Sequence, residues 1–518
     1  MLRIKFVIIV SILVLFSPKG IAQLNWVNHE IEWMFNDELS LGDTVLNSNN
    51  SSINAHFVFE MLSSDTIQFG INNRWGDWLF NQNTLHVEND SYTFILRPIF
   101  NLQSGTSKYL STRRGGFATG TIGEKFKWVS SFYENYQKFD PRIRNKVNRT
   151  NVSPGESEVK ILDESYDYSV STGGFSYEPS TFYKVTAGYG KNFIGNGYRS
   201  LLLSDAAGNY PFLRNDITIG RVKYTSIIGE FLDFTNTMSS DGLKRKKYGS
   251  FHYLDVLASK RLKLAFFEAV VWEADSAARL DLEVNYLNPF VLFRPVEFNI
   301  GSPDNMLIGL NGSWAAHSSV LLYGQVILDE LHSSNLLNQP TWWGNKYGFQ
   351  MGVKFHRLPI KNLVVLGEHN LVRPFTYSHK TSGKNYGHNF NSLAHPYGAN
   401  FRDYVGVINY RIRRINFNSR MVYLIGGEES SSDVSNGTDI FKPYTNREFE
   451  QGYKIGYGEG YQQLFLDAKC GYILNPKYML MLEIGYQSRT EWFKDTKENH
   501  HYLYGGIRTS LFNLYYDY

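Results

Sequence analysis

Segments of about ten residues that alternate apolar and polar side chains recur along this chain. No stretch after residue 20 is apolar for long enough to cross a membrane as a helix. Successive side chains of a strand point to opposite faces, so each segment has one greasy side and one wet side. From Tyr478 to Ser488 the residues Tyr478, Leu480, Leu482, Ile484 and Tyr486 share a face, with Met479, Met481, Glu483, Gly485 and Gln487 opposite. Leu464, Leu466, Ala468, Cys470 and Tyr472 form the face of a preceding strand, with Asp467 and Lys469 behind them and Asn475-Pro476 as the turn between. The same pattern runs through Tyr92–Leu102, Phe126–Phe132, Phe349–His356, Tyr404–Arg413 and Ile415–Tyr423.

A soluble sandwich also alternates, but its outer face carries most of the charge. Here the polar face is largely Asn, Gln, Gly, Tyr and Ser, opposite apolar bands that end in Tyr or Trp. Charged residues are only 19% and aromatics reach 16%. Those features fit a closed sheet in lipid, where every backbone polar group must pair within the protein. The expected fold is therefore all-β, a transmembrane antiparallel β-barrel with a small N-terminal segment. Residues 90–518, at ~25 residues per strand with its share of turn, give about 16–18 strands. Phe512, Leu514, Tyr516 and Tyr518 alternate with Leu511, Asn513, Tyr515 and Asp517. This stretch is expected to be the strand that closes the barrel.

The chain opens with basic Arg3 and Lys5, an apolar run from Phe6 to Phe16 and small residues before Gln23. This reads as a secretory signal peptide over 1–22. The run is too short to serve as a spanning anchor. Residues 23–89 do not alternate cleanly and are expected to form a plug or periplasmic cap; Asn28 to Leu39 reads as a short amphipathic helix with Ile31, Met34 and Phe35 on one side. The implied location is the outer membrane of a Gram-negative bacterium.

Composition excludes several classes. A net charge of +3 without a basic stripe excludes a nucleic-acid protein. One cysteine excludes a disulfide framework and a cysteine zinc site. No Gly-x-Ser-x-Gly elbow, His-Glu-x-x-His or phosphate-binding loop occurs, so no enzyme activity and no cofactor are expected. Long polar stretches at Asp140–Lys160, Thr235–Gly249, Leu331–Asn345, Phe375–Asp403 and Gly426–Gly452 are expected on the extracellular side. Lys244-Arg245-Lys246-Lys247 is expected as a solvated loop tip. His379, His388 and His395 are spaced too loosely for a metal site. Interleaved with Tyr377, Tyr386 and Tyr397, and taken with Trp342 and Trp343, they are candidate glycan-binding residues, since aromatic faces stack on sugars and polar groups bond their hydroxyls.

One block is unusual. Gly188 and Gly190 end a strand; Gly195, Gly197, Tyr198 and Arg199 follow, and Leu201–Leu203 lead into Ser204-Asp205. The three leucines must be buried in protein or lipid. This block resembles the signature of Wzi-type capsule-assembly barrels, and more closely that of the Bacteroidetes branch labelled gliding motility protein RemB. Thr112–Gly115, Ser131–Asn135, Asn288–Phe290, Arg294–Glu297, Gly301–Asn305 and Leu393–Phe401 match in order. The resemblance implies an eighteen-stranded outer-membrane barrel acting as a lectin for surface polysaccharide, with a part in gliding motility in the RemB-like branch. It also implies an amino-terminal helical plug. Implied partners are outer-membrane lipids and lipopolysaccharide, an extracellular polysaccharide and motility or adhesin proteins. The alternative reading is a porin or transporter for small solutes.

Overall fold

The computed structural model describes residues 28–34, 74–233, 244–274, 283–288, 304–329 and 338–518. The leader at 1–22, most of the segment 23–89 and the 294–297 stretch lie outside the described residues. Eighteen antiparallel strands form the wall. They are β1 (Tyr92–Gly105), β2 (Leu110–Ile122), β3 (Phe126–Gln137), β4 (Ser165–Ser180), β5 (Tyr183–Gly190) and β6 (Tyr210–Ile219). Next come β7 (Val222–Asp233), β8 (Arg245–Ser259), β9 (Leu262–Glu273), β10 (Asn305–His317), β11 (Val320–Asp329) and β12 (Lys346–His356). The last six are β13 (Leu363–Val372), β14 (Phe401–Ile412), β15 (Ile415–Glu428), β16 (Glu459–Asn475), β17 (Leu480–Phe493) and β18 (Lys497–Thr509). Each pairs with its sequence neighbour, and β1 closes on β18 through Asn101↔Arg508 to Gly105↔Tyr504. Below that seam a short strand, Leu85–Glu88, takes the edge of β1 that β18 leaves open.

The wall has the face polarity that the alternation requires. Leu482, Ile484, Leu503, Ile408 and Met351 point outward and are more than half exposed. Their neighbours Glu483, Asn409, Gln350 and Lys354 point inward and are buried. Outward aromatics pair near the short-turn end, Phe94 with Trp128 and Phe126 with Phe175. Apolar side chains outside and polar ones inside are the inverse of a soluble core, and fit a wall solvated by acyl chains. Short turns such as 357–362 and 476–479 gather at one end, and long connections at the other. By the rule for such barrels the long ones are extracellular.

The bore is filled. Helix α1 (His29–Met34) lies across its lower part, with Glu30 bonded to Arg508 of β18 at 2.8 Å and Lys469 of β16 at 3.1 Å. Glu32 meets Lys354 of β12 at 3.2 Å, and Arg411 of β14 donates to the Met34 carbonyl. A helix of six residues is only ~9 Å long, so contacts to four strands place it inside. The helix falls within Asn28–Leu39, the stretch read as a short amphipathic helix, and Ile31 and Met34 are both buried; Phe35 lies outside the described residues. Helix α2 (Arg74–Asn81) sits at the short-turn end, where Asn475 donates to the Leu79 carbonyl.

The closing strand differs from expectation. Residues 510–518 carry no strand; β18 ends at Thr509 and the following segment turns up into the bore. The reason is polar. Asp517, fully buried, accepts from Arg199 at 2.7 Å and from the Tyr198 hydroxyl at 2.8 Å. Asp205 accepts from Asn513 and from Tyr515, both at 2.8 Å. Both sides of the segment hold groups that lipid cannot satisfy.

Candidate functional site

Two extracellular connections fold inward over the bore. The first, 191–209, is the signature block. Gly197 permits a close approach: a Cβ there would lie 2.2 Å from the Glu368 Oε2. The next two backbone N–H groups, of Tyr198 and Arg199, donate to the same carboxylate at 2.8 and 3.1 Å. Leu201, Leu202 and Leu203 are buried in protein, against Phe231, Phe267, Leu307 and Ile327 of the wall. Gly188 and Gly190 lie in β5. Gly195 precedes the turn, and Ser204 donates from its hydroxyl to the Ala394 carbonyl of the second connection. The signature is thus a device for packing a plug.

The second connection, 373–400, contains most of the candidate glycan-binding residues, and here the structure corrects the sequence reading. Tyr377 and Tyr386 are fully buried, their rings stacked on each other, and they donate to the Leu201 and Leu202 carbonyls at 2.8 and 2.6 Å. His388 accepts from the Leu232 backbone N–H and reaches the Asn209 carbonyl. His395 is hydrogen-bonded to Asp403 at 2.9 Å. His379 is buried, and its Nδ1 accepts from the Thr381 N–H. Burial pushes His379 and His388 each down to about 3, so both are neutral rings. None of these five presents a face to a ligand from outside. The loop is rich in Tyr, His and Asn because the lumen of such a barrel is itself polar.

Lys244–Lys247 is likewise no free loop tip. Arg245 to Lys247 belong to β8. Lys244 pairs with Glu158, Arg245 with Glu273 at 3.3 Å and Lys246 with Glu230 at 2.9 Å, while Lys247 is buried and donates to Asn385.

What remains at the extracellular mouth is an aromatic and charged cluster on two other connections. Trp342 and Trp343 are half-buried, with Tyr444 centred 4.7 Å from Trp343. The Arg447 guanidinium lies over the Trp343 ring at 4.0 Å and pairs with Glu450. The Trp343 indole N–H donates to Glu450 at 2.8 Å. Hydrogen bonding by Arg447 holds the Glu450 carboxyl below its usual range. Phe449 is half exposed beside them. Tyr397 is half-buried nearer the wall and donates to the Gly427 carbonyl. Aromatic rings with a guanidinium and a carboxylate on one surface can stack on a sugar and bond its hydroxyls. Tyr444, Arg447, Phe449 and Glu450 went unseen in the sequence, although the density of aromatic and charged residues from Tyr444 to Tyr453 marks them.

For metal ions, the three loop histidines do not converge. Among the described residues Glu491, Glu498 and His500 bring donor atoms within 4.8 Å of one another. Glu491 already accepts from the Tyr461 hydroxyl at 2.7 Å, and nothing further marks a cation there.

No family model and no curated protein matches the chain. Among solved structures it is similar to Wzi of Escherichia coli, described as an outer-membrane protein involved in group 1 capsule assembly and a carbohydrate-binding β-barrel. The identity is 12%, covering 95% of this chain and 100% of that one at a TM-score of 0.53. OprD of Pseudomonas aeruginosa aligns at 10% identity over 83% of this chain and 97% of that one, with a TM-score of 0.44. At such identities the likeness to Wzi is one of fold: this chain has the architecture of an outer-membrane β-barrel.

Proposed function

We propose that this protein is a non-enzymatic outer-membrane barrel that binds or anchors an exported surface polysaccharide at its extracellular mouth. The leader at 1–22 would direct its export. The observation that carries the reading is the pairing of a filled bore with an aromatic, charged mouth. Connections 191–209 and 373–400, the segment 510–518 and α1 occupy the lumen, and a cavity between the first and third of these is only about 50 Å³. A solute pore needs a continuous bore, whereas a glycan anchor needs a rigid outer face. The named carbohydrate binding of the Wzi structure is in keeping with this reading. Outer-membrane lipid and lipopolysaccharide would surround the wall. The RemB-like resemblance of the signature block favours a supporting role in gliding motility beside capsule assembly, with motility or adhesin proteins as partners.

The test is binding of the native cell-surface polysaccharide to purified protein in detergent. The double substitution Trp343→Ala/Arg447→Ala should weaken binding about tenfold or more, the scale of an interface hot spot, while the barrel keeps its resistance to unfolding in cold detergent. Equal binding by the two proteins would refute the assignment to this mouth.

A further inference from the structure

At the extracellular rim, directly above the seam of β1 and β18, the wall carries a cleft of about 290 Å³. That is close to the lower end of the ~300–1,000 Å³ typical of small-ligand sites, with room for one sugar unit. The β1–β2 turn, the residues leaving β3, the start of helix α3 (Pro141–Thr150), the turn into β4 and the start of β18 enclose it. Tyr109 and Tyr502 stack on each other at 4.6 Å on one side. Ser107, Asn499 and His501, all exposed, open the cleft to the outside.

The charges do not balance. Lys108 and Lys138 each reach Glu164 at 3.3 Å and so share a single carboxylate. Their hydrogen bonds hold the Glu164 carboxyl below its ordinary range. Asp140 is committed elsewhere: it caps α3 by accepting from the Ile143 N–H at 3.1 Å, and it pairs with Arg489 at 3.3 Å. Arg144 also lines the cleft and has no carboxylate within ion-pair distance among the described residues. Three cationic side chains thus face one shared carboxylate. The contrast with Lys244, Arg245 and Lys246, each with its own acid, marks the excess as local.

We propose that this cleft recognises an anionic saccharide unit, a sugar bearing a carboxylate or phosphate, with its acid group among Lys108, Lys138 and Arg144 and its ring against the Tyr109–Tyr502 pair. The proposal rests on the polysaccharide reading but assigns it a second contact, on connections other than those that carry Trp343 and Arg447. The acid group belongs either to the repeat of an exported polysaccharide or to the phosphorylated core of lipopolysaccharide.

The experiment uses the full chain in detergent and four probes: oligogalacturonate, its methyl-esterified neutral form, phosphorylated lipopolysaccharide core oligosaccharide, and the same core dephosphorylated. At least one acidic probe should bind, with affinity falling as salt is raised, and its neutral counterpart should bind at least about tenfold more weakly. Which acidic probe binds identifies the source. Lys138→Gln/Arg144→Gln should lose about tenfold or more, the scale of two charge-assisted hydrogen bonds, and Arg144→Lys with Lys138 intact should retain most of the binding. Equal binding of charged and neutral probes, no binding of either acidic probe at millimolar concentration, or indifference to the double substitution overturns the proposal. Loss of native polysaccharide on Trp343→Ala/Arg447→Ala, with the acidic probes bound equally by the parent and the cleft variant, would leave the mouth reading standing and this one refuted. The reverse result would refute the mouth assignment and keep the cleft.

Discussion

Asp517 is the residue on which the filled bore turns. It is fully buried, with Arg199 at 2.7 Å and Arg420 at 3.3 Å, and Arg199 is itself 1% exposed. A charge taken out of water is tolerated only while its partner is present. Asp517→Ala strands the Arg199 guanidinium and should cost ~3–5 kcal/mol of stability, read as a lower temperature of unfolding in the detergent gel-shift assay. Arg199→Met added to Asp517→Leu removes the buried pair, leaves Arg420 its contact with Asp467 at 3.5 Å, and should recover most of that loss. A single substitution as stable as the parent would show that Arg199 finds other partners. Arg199 was visible in the sequence, through the glycine-rich block that surrounds it. Its partner was not, because the two lie 318 residues apart and no local pattern announces a pairing of that range.

At the scale of elements, the wall strands were legible because the period of two is physical: one face meets lipid and the other meets the lumen. The same period misled at 510–518, where Tyr and Phe alternate with Asn and Asp as well in a threaded plug as in a closing strand. Polar, Gly-rich composition misled at 373–400 for a related reason. In a soluble protein it marks the surface, but a barrel's interior is polar, so the rule cannot separate an outer loop from one folded inward. Helix α1 is short, and its docking is electrostatic. Burial alone would raise the carboxyl of Glu32, but Lys354 and His29 together outweigh it and hold that group at about 2; Arg508 and Lys469 hold Glu30 lower still. A depressed carboxyl stabilises fully above its unfolded value, near 4.5, and the stabilisation is lost as pH falls through the folded value. Hydrogen exchange of residues 29–34 should therefore be slow and constant from pH 7 to 5, after correction for intrinsic rates, and quicken towards pH 2. Protection unchanged at pH 2.5 would mean that Ile31 and Met34, both buried, hold the helix by packing alone.

For the molecule as a whole, the question is whether eighteen strands enclose a passage or a scaffold. A barrel of this size left open would hold an aqueous channel, as sixteen- to eighteen-stranded porins do. Here Leu201 to Leu203, Tyr377, Tyr386 and Leu393 form one fully buried cluster with wall residues at the extracellular half. Lower down, Ile31, Met34, Met479, Met481 and Leu511 form a second. The full chain in a planar bilayer should therefore be electrically silent. Large, stable steps from it would instead support a solute transporter. Ending the chain at Thr509 removes the carboxylate of Asp517 and the carbonyls of Tyr516 and Tyr518, to which Arg489 donates. Arg199 and Arg489 would then line a partly emptied bore, and the shortened chain should conduct in small steps that favour anions over cations. Steps of no preference would mean that the arginines turn to other acceptors. Continued silence would assign the seal to the two inward connections, and with it the rigidity that a glycan-holding mouth requires.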